Sequence, residues 1–178
     1  RVQERLVPAV ENNDYRVGTG SLSTPFVLPT LSNAGRADVA YRMLENPKSP
    51  SWLAEVKAGA TTVWEDWEGT VSRNHYSPGS VCQWLFDTVA GIHVAGENRF
   101  TIAPVPGGTL THASASYASP YGIVRSAWER RDAGLRLTVT VPANTVAEVR
   151  LPDGERFEAA SGTQEYLITE TRQREISR

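Results

Sequence analysis

With 178 residues, 40% of them hydrophobic and 21% charged, the chain holds enough apolar material for one large or two small cores and has the composition of an ordinary globular protein. A net charge of −2 supplies no basic field to hold nucleic acid or an anionic membrane, and no apolar run nears the ~20 residues that span a bilayer. Cys82 is the only cysteine, which excludes an internal disulfide and a thiolate zinc cluster and leaves the redox compartment open.

Arg1 stands where a Met would start a chain, and Val2, Leu6, Val7 and Val10 already fall at helical spacing. The expectation is a chain that lacks its upstream part, so its localisation, cytoplasmic or secreted, stays open. This first helix runs from about Arg1 to Asn13, with Pro8 an objection to its continuity. Gly18-Thr19-Gly20-Ser21 is a turn, and Thr24-Pro25 opens a second helix that Pro29 kinks and Gly35 stops. Arg36 to Glu45 is a third, with Val39, Ala40, Met43 and Leu44 on one face. Asn46-Pro47-Lys48-Ser49-Pro50 is a loop. Ser77-Pro78 predicts a helix start with Ser77 as the cap. Val81, Trp84, Leu85, Thr88 and Val89 make its apolar stripe, Cys82 and Phe86 add a second buried face, and Gly91 ends it.

The period then changes from 3.6 to 2. Phe100-Thr101-Ile102 is a short strand closed by Pro104 and Pro106. Ala113, Ala115 and Tyr117 alternate with serines, and Val124, Ser126 and Trp128 share one face. Leu135, Leu137, Val139 and Val141 alternate with Arg136, Thr138 and Thr140. Further strands follow at Thr145 to Leu151 and Glu165 to Thr169, the first closed by the Pro152-Asp153-Gly154 turn, with a charged tail expected to fray. Many short strands separated by turns predict a β-sandwich. The fold class is α+β in two parts, helical over residues 1–96 and an antiparallel sandwich over residues 97–178, with the boundary near Gly96-Glu97-Asn98.

The chemistry concentrates in Gly59-Ala60-Thr61-Thr62-Val63-Trp64-Glu65-Asp66-Trp67-Glu68-Gly69 and the following Asn74-His75-Tyr76. Carboxylates, indoles and an imidazole suit a sugar, which offers hydroxyls to bond and C–H faces to lay on an aromatic ring. Glycosidic cleavage needs one carboxyl as acid and another as base or nucleophile. The plainer reading makes Trp64 and Trp67 core side chains and the acids a solvated rim. No histidine pair at helical spacing suggests a metal, and no cofactor is expected. His93 and His112 read as structural.

These motifs resemble the bacterial α-L-rhamnosidases of glycoside hydrolase family 78. The similarity starts near Gly18, includes Pro50-Ser51-Trp52-Leu53, and continues through Asp87-Thr88-Val89-Ala90-Gly91-Ile92, Ile102-Ala103-Pro104-Val105-Pro106-Gly107-Gly108 and Ala115-Ser116-Tyr117-Ala118-Ser119-Pro120-Tyr121-Gly122 to about Gly154. The resemblance implies the end of an (α/α)6 catalytic barrel followed by a C-terminal β-sandwich. It implies that Glu65 is the general base of an inverting enzyme, that His75 contacts the sugar, and that Trp64 holds the carboxylate or lines the pocket. An indole beside a carboxylate would desolvate it, which suits a base working near neutral pH. Asp66 and Glu68 are weaker candidates.

The chain departs from the family at Gly69-Thr70-Val71-Ser72-Arg73, where many relatives carry a longer polar loop, which leaves the aglycone preference open. The family's general acid lies upstream of the residues present. The implied partners are a rhamnose-containing carbohydrate and the upstream part of the same enzyme, with self-association of an exposed apolar face a further expectation. The competing class is a non-catalytic carbohydrate-binding or structural β-sandwich module. A catalytic acid upstream would separate the two, since a binding module needs no base.

Overall fold

The structure, a computed structural model, describes residues 2–169; the tail expected to fray lies outside the described residues. The chain forms two compact units. One comprises the residues up to Trp84 together with Gly107–Thr109, and the other comprises Leu85–Pro106 and the residues from Leu110 onward.

The first unit is helical: α1 (Val2–Asn12), α2 (Thr24–Asn33), α3 (Ala37–Leu44), α4 (Trp52–Lys57), α5 (Tyr76–Gly79) and α6 (Val81–Trp84). Pro8 and Pro29 sit inside α1 and α2 without ending them. Each removes one backbone donor, and packing of Val7, Val10, Val27, Leu28 and Leu31 holds the turns on either side. Gly35, at φ 75°, ends α2 as expected. Its N–H donates to the Ser32 carbonyl and that of Arg36 to the Leu31 carbonyl, a reversal that the left-handed glycine makes possible.

Val39, Ala40, Tyr41 and Met43 of α3 are buried, and α3 packs on α2. The Tyr41 and Trp84 rings meet edge to face with centroids 5.1 Å apart, and the Trp84 indole N–H donates to Ser32 Oγ at 2.9 Å. The Glu45 carboxylate accepts from the Thr109 N–H at 2.9 Å and 3.0 Å.

The expected single helix from Ser77 is a correction. The chain runs through α5, α6 and then a π-helical turn, Leu85–Val89, which belongs to the second unit. Its cap is His75 rather than Ser77, and Pro78 sits in the first turn, where its missing N–H has no helical partner to lose. Ser77 Oγ instead donates to the Ser21 carbonyl. Val81, Trp84 and Val89 are buried, but Cys82 is exposed, so the second buried face is not there.

The second unit carries eight strands: β1 (Ile92–Gly96), β2 (Arg99–Ile102), β3 (His112–Ser119), β4 (Gly122–Arg131), β5 (Gly134–Val141), β6 (Val146–Arg150), β7 (Arg156–Ala159) and β8 (Gly162–Ile168). They form two four-stranded sheets, ordered β1-β2-β6-β7 and β3-β4-β5-β8. Strand structure therefore begins at Ile92, earlier than the alternation indicates. The second sheet is wholly antiparallel, with Trp128 opposite Leu137. The first is not: β2 and β6 pair in parallel, Phe100 beside Ala147 and Ile102 beside Val149.

Phe100, Ile102, Ala147 and Val149 from one sheet and Val124, Trp128, Leu137 and Val139 from the other are buried. Phe100 meets Tyr117, and Phe157 meets Tyr166, from sheet to sheet at 6.2 and 4.8 Å. Two inward polar groups of β4 are satisfied at the π turn. Ser126 Oγ donates to the Ala90 carbonyl at 2.6 Å and the Trp128 indole to that of Val89 at 2.7 Å.

Candidate active site

The stretch rich in carboxylates and indoles folds as a loop mounted on α4. Ser51 caps that helix, its Oγ accepting from the Ala54 N–H at 3.1 Å while donating to the Asn46 carbonyl. Trp52 at the first helical position donates its indole N–H to the Pro78 carbonyl at 2.9 Å, and its ring meets that of Trp67 at 5.4 Å and 90°. The helix ends in the same kind of reversal as α2. With Gly59 at φ 87°, its N–H reaches the Val56 carbonyl, and the Ala60 N–H reaches that of Glu55.

Residues 63–65 then run beside residues 72–75. The Glu65 N–H donates to the Ser72 carbonyl at 2.8 Å, and the His75 N–H to that of Val63 at 3.0 Å. Asp66 closes the turn between them. Its carboxylate accepts from the N–H groups of Thr70 and Val71 and from the Thr70 hydroxyl, and the hydroxyl bond foremost holds Asp66 below the ordinary aspartate range. Asp66 is thus a turn-forming carboxylate with its lone pairs engaged. Glu68 is exposed in the same turn.

The two latches set Glu65 and His75 side by side. His75 Nε2 lies 4.0 Å from Glu65 Oε1, and the side chains are 24% and 40% exposed. His75 Nδ1 accepts the Ser77 N–H at 3.2 Å, so a neutral imidazole carries its proton on Nε2, the nitrogen nearer the carboxylate. At 4.0 Å the two groups do not bond directly. One oxygen atom about 2.8 Å from each can accept from the imidazole and donate to the carboxylate at once. A water or a sugar hydroxyl meets that description.

His75 also lines an open depression of about 870 Å³ with Thr62, Val63, Asn74, Tyr76 and Gln83; Glu65 is not part of that lining. The exposed Tyr76 ring stacks on His75 with centroids 5.0 Å apart.

Trp64 sits beneath Glu65 and is only 8% exposed. Gly69 lies against its indole so closely that a Cβ there would come within 2.6 Å, and the Arg73 guanidinium stands 5.3 Å over the ring. Its backbone N–H is bonded by Glu55 Oε2 at 3.3 Å. Glu55 is 3% exposed, and burial raises its pKa above the ordinary glutamate value. Sequence reasoning missed this residue. Its signal was a serine cap followed by Trp52 and Glu55 three positions apart on a short helix, which places an acid on the buried face. Among the described residues no three histidine, cysteine or acidic side chains gather in a way that could hold a metal. No helix among them is long and apolar enough to cross a membrane.

Residues 1–89 match the bacterial α-L-rhamnosidase 6-hairpin glycosidase domain and residues 93–165 the bacterial α-L-rhamnosidase C-terminal domain. The chain belongs to the bacterial α-L-rhamnosidase family. It is 41% identical over 162 residues to an α-L-rhamnosidase of Streptomyces avermitilis, covering 84% of this chain and 16% of that protein. It is 36% identical over 163 residues to one of Formosa agariphila, covering 84% and 18%.

Among solved structures, the native α-L-rhamnosidase of Aspergillus terreus superimposes with a TM-score of 0.87 at 39% identity, over 93% of this chain and 21% of the other. The Streptomyces avermitilis α-L-rhamnosidase complexed with L-rhamnose gives 0.85 at 36% identity, over 93% and 19%. The chain thus spans about a fifth of the length of these relatives.

Proposed function

We propose that this chain is the C-terminal part of an inverting α-L-rhamnosidase that removes terminal α-L-rhamnosyl residues from glycosides or polysaccharides. In this reading Glu65 is the general base, His75 contacts the sugar, and Trp64 holds the Glu65 segment from beneath. The general acid comes from the upstream part of the same enzyme. The observation that carries the reading is the Glu65–His75 pair, with a carboxylate and an imidazole N–H positioned to share one oxygen. Inversion requires a carboxylate that deprotonates water on the face opposite the leaving group, and an exposed, unbonded Glu65 is available for that task as Asp66 is not. Exposed Leu22 and Phe26 on the first unit fit the same reading, as apolar positions for upstream helices to cover.

The test is turnover of an aryl α-L-rhamnoside by the complete enzyme. Glu65→Gln keeps size and hydrogen bonding but removes the base, and is expected to lower kcat by about 10²–10⁴-fold with rhamnose binding retained. His75→Ala removes contacts made in both ground and transition states, so it weakens binding and turnover together. Proton NMR of the first-formed sugar should show β-L-rhamnose. Near-normal turnover in Glu65→Gln would move the base to another acid, with Glu68 next.

A further inference from the structure

Glu55 is a buried carboxyl with an unusual position in the loop. In an extended segment, successive peptide groups point to opposite sides. The Val63 carbonyl and the Glu65 N–H both face residues 72–75 and are bonded there. The intervening Trp64 N–H faces the other way, toward α4, and its partner is Glu55 Oε2 at 3.3 Å. Three consecutive residues are therefore held from two sides, and among the described residues the side-chain anchor is Glu55. Its second oxygen, Oε1, is buried with no hydrogen-bond partner among the described residues.

A buried carboxyl with one weak bond is a poor choice for stability, since an apolar side chain of similar volume would fill the same helix face without desolvating a polar group. What an apolar side chain cannot do is accept the Trp64 N–H. We infer that Glu55 is a positioning residue for the proposed base, fixing the Trp64 peptide so that the Glu65 carboxylate stays opposite His75. This rests on the reading of Glu65 as base. Burial raises the Glu55 pKa above the ordinary glutamate value, and in either protonation state an oxygen remains to accept the Trp64 N–H.

The experiment compares three substitutions of Glu55 with Glu65→Gln, all in the complete enzyme and all checked for folding by thermal unfolding. Glu55→Gln keeps an acceptor of the same reach and is expected to leave kcat and its pH profile within about twofold of wild type. Glu55→Met keeps the volume and loses the acceptor, so kcat should fall about tenfold or more, because a small displacement of a reacting group is costly. KM should change little, and the acidic limb of the kcat–pH profile should move as the surroundings of Glu65 change. Glu55→Asp keeps the carboxyl but falls one methylene short, and should behave like Glu55→Met in milder form; it decides the matter if Glu55→Met does not fold.

Wild-type kcat and pH profile in a folded Glu55→Met or in Glu55→Asp would overturn the inference. So would Glu55→Gln falling as far as Glu55→Met, since the charge rather than the acceptor would then matter. If Glu65→Gln abolishes turnover while Glu55→Met is normal, only the positioning role fails. If Glu65→Gln is active, the assignment of the base fails and the role of Glu55 falls with it.

Discussion

Replacing Gly69 by Ala tests how the indole beneath the site is seated. Gly69 has φ 68°, a left-handed conformation that costs a side-chain-bearing residue about 1–2 kcal/mol. A Cβ built there lies 2.6 Å from Trp64 Cε3 and 2.7 Å from Cζ3, well inside contact distance. The ring cannot swing away freely, because it is buried and Arg73 stands over it. Overpacking of this kind costs about 1–3 kcal/mol, for a total of about 2–5 kcal/mol.

Gly59→Ala supplies the control. Gly59 lies in the same unit with φ 87° and no atom within 4 Å of the added carbon, so it carries the backbone cost alone. Denaturant unfolding followed by tryptophan fluorescence should place Gly69→Ala about 1–3 kcal/mol below Gly59→Ala. Equal losses in the two variants would show that Trp64 does not pack against Gly69 as described, and the support of Glu65 from beneath would need another source.

Ser126→Ala removes the hydroxyl that donates to the Ala90 carbonyl at 2.6 Å and leaves that buried acceptor short of a partner, at an expected cost of about 1–3 kcal/mol in the same unfolding assay. Ser51→Ala removes the cap of α4, with an expected loss of about 0.5–2 kcal/mol. Asp66 is held below its ordinary value by Thr70, so its contribution is present above the unfolded value of 3.8 and is lost as pH falls through the lowered folded value. Asp66→Asn should accordingly lower Tm at pH 6, and the gap to wild type should narrow as pH falls below that 3.8.

The legible parts of the chain were those where one physical pattern repeats. Val124, Ser126 and Trp128, and Leu137, Val139 and Val141, alternate inward because a sheet with one face on a core imposes period two, and the structure buries all six. β1 was missed because Ile92 is its only buried residue, so burial leaves no alternation to read. The parallel pairing of β2 with β6 joins residues more than forty positions apart, and no local spacing encodes it. At the site, Trp64, Glu65 and His75 stood out by residue type, and the structure sets the Glu65 and His75 side chains 4.0 Å apart, with Trp64 buried next to Glu65 in the chain. The cap was misread because Ser77 before Pro78 is the commoner arrangement, whereas the helix starts two residues earlier, with an extended His75 whose Nδ1 accepts the Ser77 N–H. Glu55 left only a faint trace, because one acid on a six-residue helix reads as surface until the packing around it is known.

The 178-residue chain alone is expected not to hydrolyse an aryl α-L-rhamnoside. Inversion needs an acid and a base with carboxyls roughly 6.5–9.5 Å apart on opposite faces of one sugar, with room for the attacking water. Of the acids around Glu65, Asp66 spends its lone pairs on Thr70 and Val71, and Glu55 is buried and bonded to the Trp64 N–H. Glu68 follows Asp66 in the same turn and lies on the same short loop as Glu65, a poor position from which to reach the far face of a sugar. In the β unit, Glu148 is engaged by Arg150 at 2.9 Å, and Asp153 accepts the Glu155 N–H at 3.1 Å. Glu65 could then position a water, but the leaving oxygen would depart without a proton. Incubation of the purified chain with the substrate, with Glu65→Gln run beside it against contaminating activity, decides the matter. Turnover present in the wild-type chain and absent from Glu65→Gln would mean that a complete acid–base pair lies within these residues, and that Glu68 has to be reconsidered as the acid.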